Sequence, residues 1–284
     1  MIIWLASYPK SGNTWVRSIV SSLIYSSDGI FNFKLLRKID QFPEKKYMKD
    51  FVKDFSNFEL IKKNWIAAQD KLNLDNSIKF FKTHQGKYTV GKDNFTNDEN
   101  TVAVIYIVRD PRNVVTSISN HYTLSIKESL KFMLSDTIIG NKKSLEESYK
   151  EKKSGILTLL GKWNNHYRSW TRKKGNLLLI KYEDLILNPK AEILKISSFL
   201  KKYINFEADE KKYQNILKTT SFENLKKMEN EESFEQGVLN KETKNKVNFF
   251  NLGPKNKWQN NLDQDIIDII KKNFNNEMKE IGYL

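Results

Sequence analysis

The amino-acid sequence predicts an α/β domain with a central parallel sheet flanked by helices. Short apolar runs alternate with stretches of helical periodicity, and the strongest runs are apolar on both faces, as covered parallel strands are. Two of those runs end in Pro- or Gly-containing turn chemistry that leads directly into a helix.

Taken in order, Ile2–Ala6 is an apolar run that enters the turn Ser7-Tyr8-Pro9-Lys10-Ser11-Gly12. From Asn13 or Thr14 to about Tyr25 the apolar positions Trp15, Val16, Ile19, Val20 and Leu23 follow helical spacing. Residues 30–75 scatter aromatics among charges, which predicts short helices. Ile78–Thr83 is a second strand. Thr101–Val108, nearly all β-branched or aromatic, is the clearest buried strand. It ends at Arg109-Asp110, and Pro111 suits the first turn of a following helix. Residues 123–153 are lysine-rich and read as irregular and mobile.

Apolar spacing predicts a helix over Ile156–Trp170, followed by a strand at Leu177–Tyr182 and a proline-opened helix at Pro189–Leu200. Helices at Asp209–Leu217 and Phe222–Met228, a polar loop over 230–262 and an amphipathic helix at Asp263–Met278 complete the chain. No internal repeat or linker interrupts it, so one domain over residues 1–284 is expected.

Composition narrows the function. Hydrophobic residues at 39% and aromatics at 12% exclude a disordered chain. The absence of cysteine excludes disulfides, thiolate metal sites and a cysteine nucleophile. A formal charge of +14 favours an anionic partner, although much of it reads as solvated lysine on polar helices. No run approaches the roughly eighteen apolar residues of a membrane span, and the N-terminus lacks a signal peptide's basic and apolar regions. A cytoplasmic location with no membrane span is expected.

The turn after the first strand has the chemistry of a phosphate site. Gly12 lets the backbone approach an anion, the helix N-terminus offers free N–H donors, and Lys10 adds charge. It is not the usual P-loop, in which the lysine follows the second glycine. Strand–loop–helix form alone leaves an ordinary βα turn equally open. The string Tyr8-Pro9-Lys10-Ser11-Gly12-Asn13-Thr14-Trp15, however, resembles the 5′-phosphosulfate loop of the cytosolic-type sulfotransferase family, usually written YPKSGTTW, with Asn13 as the departure.

A second segment, at the end of the strongest strand, is similar to that family's 3′-phosphate site. Its Arg109 is followed eight residues later by Ser117, a guanidinium fork and a hydroxyl placed to converge on one phosphate. Lys82-Thr83-His84 resembles the element that carries the catalytic base. Lys181-Tyr182-Glu183-Asp184 and Thr220-Ser221-Phe222 resemble elements that line the adenine pocket. Near residue 253 the pattern departs: Asn251 and Leu252 stand before Gly253 where the family has Arg and Lys, and Lys255 or Lys257 offers replacement charge.

The resemblance implies a P-loop-kinase-like sulfotransferase fold. It also implies transfer of a sulfuryl group from 3′-phosphoadenosine 5′-phosphosulfate (PAPS) to a hydroxyl or amine, releasing 3′-phosphoadenosine 5′-phosphate (PAP). By resemblance His84 is the base, Lys10 and Lys82 serve the reacting group, and the amides of Ser11, Gly12, Asn13 and Thr14 hold the 5′-phosphate. Trp15, Tyr182, Thr220, Ser221 and Phe222 border the adenine, and Arg109, Ser117 and Gly253 reach the 3′-phosphate. No metal is expected, because lysines supply the charge. The other two histidines, His121 and His166, read as structural.

The acceptor is a small molecule or a glycan; a glycan would suit the cationic stretches near 142–153. A nucleotide-dependent phosphotransferase is the alternative enzyme. A basic nucleic-acid-binding protein is the alternative without catalysis, and it rests on charge alone, so no nucleic acid is expected. The altered residues before Gly253 leave a catalytically silent relative open as well.

Overall fold

The computed structural model describes residues 1–140, 156–172, 175–232, 238–239 and 246–284. Five strands form one parallel sheet in the spatial order Asp40–Gln41, Lys79–Thr83, Ile2–Ser7, Thr101–Val108, Leu177–Lys181. The central parallel sheet flanked by helices is the one predicted. Its edge strand Asp40–Gln41 was not predicted, because two polar residues carry no hydrophobic pattern.

Alternation along the strands builds a core on each face. Ile2, Trp4 and Ala6 join Tyr106 and Val108 beneath Trp163, Tyr167, Ile270 and Phe274. Ile3 and Leu5 join Ile105 and Ile107 beneath Val16, Ile19, Ile193 and Ile196. Both faces of Thr101–Val108 are thus covered, which is why its sequence shows no polar alternation.

The aromatics between residues 31 and 65 belong to these cores. Phe31, Phe42 and Trp65 are buried, and Phe33, Tyr47, Phe51, Phe55 and Phe58 pack against them. The short helices expected there are Phe33–Leu36, Lys45–Met48, Phe58–Lys63 and Trp65–Leu72.

Two expectations need correction. Residues 126–134, read as irregular, form a helix opened by a capping box between Ser125 and Glu128. The cationic stretches near 142–153 lie outside the described residues. The helix expected from Ile156 begins only at Trp163. Before it, Thr158–Leu159 pairs with Ile138–Ile139, and the backbone of Leu159 bonds Gln85 and Gly86. Ile156 and Leu160 are buried although neither is helical, and apolar spacing over so short a run does not separate strand from helix.

Candidate active site

All five strands lead at their carboxyl ends to one cavity of about 770 Å³, where ligands of open parallel sheets bind. Gln41 closes the edge strand, Lys82 and His84 the next, and Lys10 follows the first. Arg109 and Tyr182 follow the remaining two. Gly12, Asn13, Thr14 and Trp15 line the cavity from the opening loop, and Ser117 from the helix Pro111–Tyr122.

The two loops predicted to bind anions meet. Arg109 Nη1 donates to the carbonyl of Lys10 at 3.2 Å, and its guanidinium lies 4.2 Å from the centre of the Tyr182 ring. Its Nε is buried and has no hydrogen-bond partner among the described residues, a charged donor left for a ligand to satisfy. The other arginine of the segment, Arg112, is consumed structurally. It forks onto Asp110, donates to the Tyr283 carbonyl and stacks on Trp258.

Gly12 adopts φ 100°, and a Cβ there would lie 2.5 Å from the Tyr182 ring. Glycine is therefore required on two counts, conformation and space. Lys10 sits at φ 66°, a left-handed conformation that its surroundings must hold.

His84 is fixed from behind. Its Nδ1 lies 2.8 Å from the carbonyl oxygen of Ser7. A carbonyl only accepts, so Nδ1 carries the proton and Nε2 keeps its lone pair. The backbone carbonyl of His84 accepts from His166 Nε2 at 3.0 Å, and His166 Nδ1 accepts from the Tyr106 hydroxyl at 2.9 Å. His166 is fully buried, as its structural reading expects. Burial lowers its pKa to about 4, which keeps the ring neutral.

Burial is the main cause of the shifts at His84, Lys10 and Lys82. It holds the pKa of His84 well below the ordinary value, with Lys82 adding to the effect. Lys10 falls to about 7 through burial and then Arg109; Lys82 falls to about 7 through burial and then Arg17. Lys10 Nζ lies 3.9 Å from the centre of the Phe249 ring, and Lys82 Nζ donates to Gln41 Oε1 at 3.1 Å.

The segment before Trp258 lines the cavity with Phe249, Asn251, Leu252, Gly253 and Asn256. It is tied down at several points. Glu229, fully buried, accepts from the amides of Phe249 and Phe250 at 2.6 and 2.8 Å, and Lys226 holds the Asn251 carbonyl at 2.8 Å. Asn256 bonds Thr116 and Asn113 on the helix that bears Ser117. Gly253, at φ 51°, faces Phe222 so closely that a Cβ would overlap its ring. Lys255 and Lys257, expected to offer charge here, are exposed and outside the lining, because Asn256 takes the inward position between them.

Three predicted site residues lie outside the main cavity. The Ser11 side chain is buried away from it. Thr220 and Ser221 line a smaller cavity of about 230 Å³ that shares Trp15 and Phe222 with the larger one. Their hydroxyls serve helix ends: Thr220 donates to the Ile216 carbonyl, and Ser221 accepts from the Asn224 amide. Sequence reasoning missed Gln41, Glu44, Asn120 and His121 in the main lining. His121, read as structural, stands four residues after Ser117 on the same helix face, a signal that was available. Its pKa is lowered to about 3, by burial first and then by Lys10 and Lys82.

A parallel sheet whose adjacent strand ends open onto one cavity is the arrangement in which α/β domains bind their ligands. A family model described as the sulfotransferase domain matches residues 2–282, and the chain belongs to that family. It is an enzyme of the PAPS-dependent sulfotransferase class. Amine sulfotransferase of Oryctolagus cuniculus is 25% identical over 98% of this chain and 81% of its own length. Sulfotransferase 1 family member D1 of Mus musculus is 28% identical over 91% of this chain and 77% of its own. Sulfotransferase 1B1 of Canis lupus familiaris is 28% identical over 79% of this chain and 66% of its own length. Among solved structures, mouse sulfotransferase SULT7A1 complexed with PAP superposes with a TM-score of 0.61 at 20% identity. That match covers 98% of this chain and 84% of the other, and it shows a shared fold.

Proposed function

We propose that PAPS binds across the junction of the two anion loops and that His84 accepts the proton of a small hydroxyl or amine acceptor. The contact between Arg109 and the carbonyl of Lys10 carries this reading, because it joins the two loops in the lining of one cavity. The amides from Ser11 to Thr14 hold the 5′-phosphate at the helix N-terminus, with Lys10 beside them. Arg109 and Ser117 hold the 3′-phosphate. Tyr182, Trp15 and Phe222 enclose the base, with Thr220 and Ser221 at the adjoining cavity. Gly253 lets its segment pass close to Phe222.

His84 Nε2 takes the acceptor's proton as the new bond to sulfur forms. Lys10 stabilises the charge that develops on the departing bridging oxygen, and Lys82 holds the sulfuryl oxygens, where fixed cations in a buried site act most strongly. The lowered pKa keeps His84 in its accepting form at neutral pH. The negative donor offsets the lysines' contribution and makes the ring a stronger base.

A small-molecule acceptor is supported by relatives named for amine and luciferin sulfation. Among the described residues no helix is long and apolar enough to cross a membrane. We place the enzyme in the cytoplasm and assign it no nucleic-acid partner.

Thermal unfolding with PAP, ADP, ATP and an oligonucleotide tests the donor site. Ligand at about 100 times its Kd adds roughly 2.7 kcal/mol of stability, so PAP should raise Tm by several degrees. An equal shift with ADP would remove the 3′-phosphate assignment.

A further inference from the structure

Ser7 and Asn13 are buried polar residues, 0% and 4% exposed; Asn13 borders the cavity, and the proposed transfer uses its backbone amide but neither side chain. Asn13 opens the helix Asn13–Tyr25, yet its amide group turns backward. Nδ2 donates to the Leu5 carbonyl at 2.9 Å and to Ser7 Oγ at 3.1 Å. Because the Leu5 carbonyl only accepts, the amide must present its NH2 group on this side. Ser7 in turn touches His84 Nδ1 twice, through its carbonyl at 2.8 Å and its hydroxyl oxygen at 3.3 Å.

We propose that Asn13, acting through Ser7, is a positioning residue that holds the His84 ring in the tautomer able to accept a proton at Nε2. This rests on the reading of His84 as the base.

Hydrogen-bond counting favours asparagine for the task. The resembling family has threonine at this position, and a hydroxyl has a single proton to donate. An amide has two, enough for Leu5 and Ser7 together. Ser7 ends the first strand, and its partner there is Ile107 on one side only. Beyond it, the loop that carries Lys10 begins. A two-point tie from a rigid helix to the strand end therefore fixes the carbonyl on which the His84 proton rests. The donors of the Asn13 side chain go to Leu5 and Ser7, on the side of His84, so the tie concerns the base rather than the donor.

The test is Asn13→Ala, with Ser7→Ala as the second variant, each assayed for turnover, PAP affinity and the ¹⁵N shifts of the His84 ring. For Asn13→Ala we expect kcat to fall about tenfold while the Kd for PAP stays within about twofold, the split a positioning residue gives. The ring spectrum should change from one Nδ1–H tautomer to a mixture. Ser7→Ala keeps its carbonyl contact and should lose about threefold in kcat. A single unchanged tautomer in Asn13→Ala, or a Kd for PAP more than about tenfold weaker at normal kcat, overturns the proposal. Near-normal turnover in His84→Ala instead removes the base assignment and leaves the tautomer measurement readable on its own.

Discussion

Lys10 and Lys82 share a buried space with Arg109 and Arg17, and each is half-charged near pH 7. An anion bound beside them favours the protonated form and raises both pKa values. Below about pH 7 both lysines are charged with or without ligand, and affinity is insensitive to their titration. Above it, binding must take up protons, so affinity falls as pH rises until the pKa values of the bound state are reached. PAP should therefore bind roughly tenfold more weakly at about pH 9 than at pH 7. Calorimetry in two buffers of different ionisation heat should show proton uptake at the higher pH; a flat profile would mean that these lysines do not face the ligand. His84→Ala should lower kcat roughly 100-fold while donor affinity stays nearly intact. Most of these residues were legible because they fall in strings with fixed spacing. Gln41 was not, and His121 was passed over although its spacing from Ser117 put it on the same helix face. A lone histidine in a helix is more often structural, and a polar pair at a sheet edge has no pattern to read.

Among elements, the loop between the first strand and its helix is the most constrained. Its sequence predicts an anion site through Lys10 and Gly12, and the fold adds a reason for the glycine that no string contains: Tyr182, far along the chain, occupies the space a Cβ at residue 12 would need. Gly12→Ala should therefore destabilise the protein by about 2 kcal/mol, from the left-handed backbone together with the displaced ring. Denaturant midpoints with and without PAP measure both the stability and the donor site that depends on that ring; a midpoint equal to the parent's would show that Tyr182 moves freely aside. Long elements such as Thr101–Val108 and the helix Pro189–Leu200 matched their predicted limits, since burial on both faces and an opening proline are local signals. The helix at 126–134 went unread because its lysines obscured the apolar face of Leu130 and Met133.

At the scale of the whole molecule, the cavity joins segments from both ends of the chain. Its walls include the loop from Pro9 to Trp15, the strand end at Arg109, Tyr182, and the segment 249–256 that Glu229 and Asn256 anchor. A donor that spans the two anion loops must restrain these segments together, and it leaves the short helices Phe58–Lys63 and Trp65–Leu72, none of whose residues line the cavity, unaffected. Hydrogen exchange reads this coupling amide by amide. With PAP at about 100 times its Kd, protection should rise together at residues 11–15, 109–117 and 249–256. The Phe249 and Phe250 amides report on the last group, since the Glu229 carboxylate holds them only while the segment stays closed. ADP, lacking the 3′-phosphate, should protect residues 11–15 and leave 109–117 close to the free protein. Equal protection by both nucleotides would place the 3′-phosphate away from Arg109, and unchanged exchange at 249–256 would show that this segment, without the family's Arg and Lys, takes no part in holding the donor.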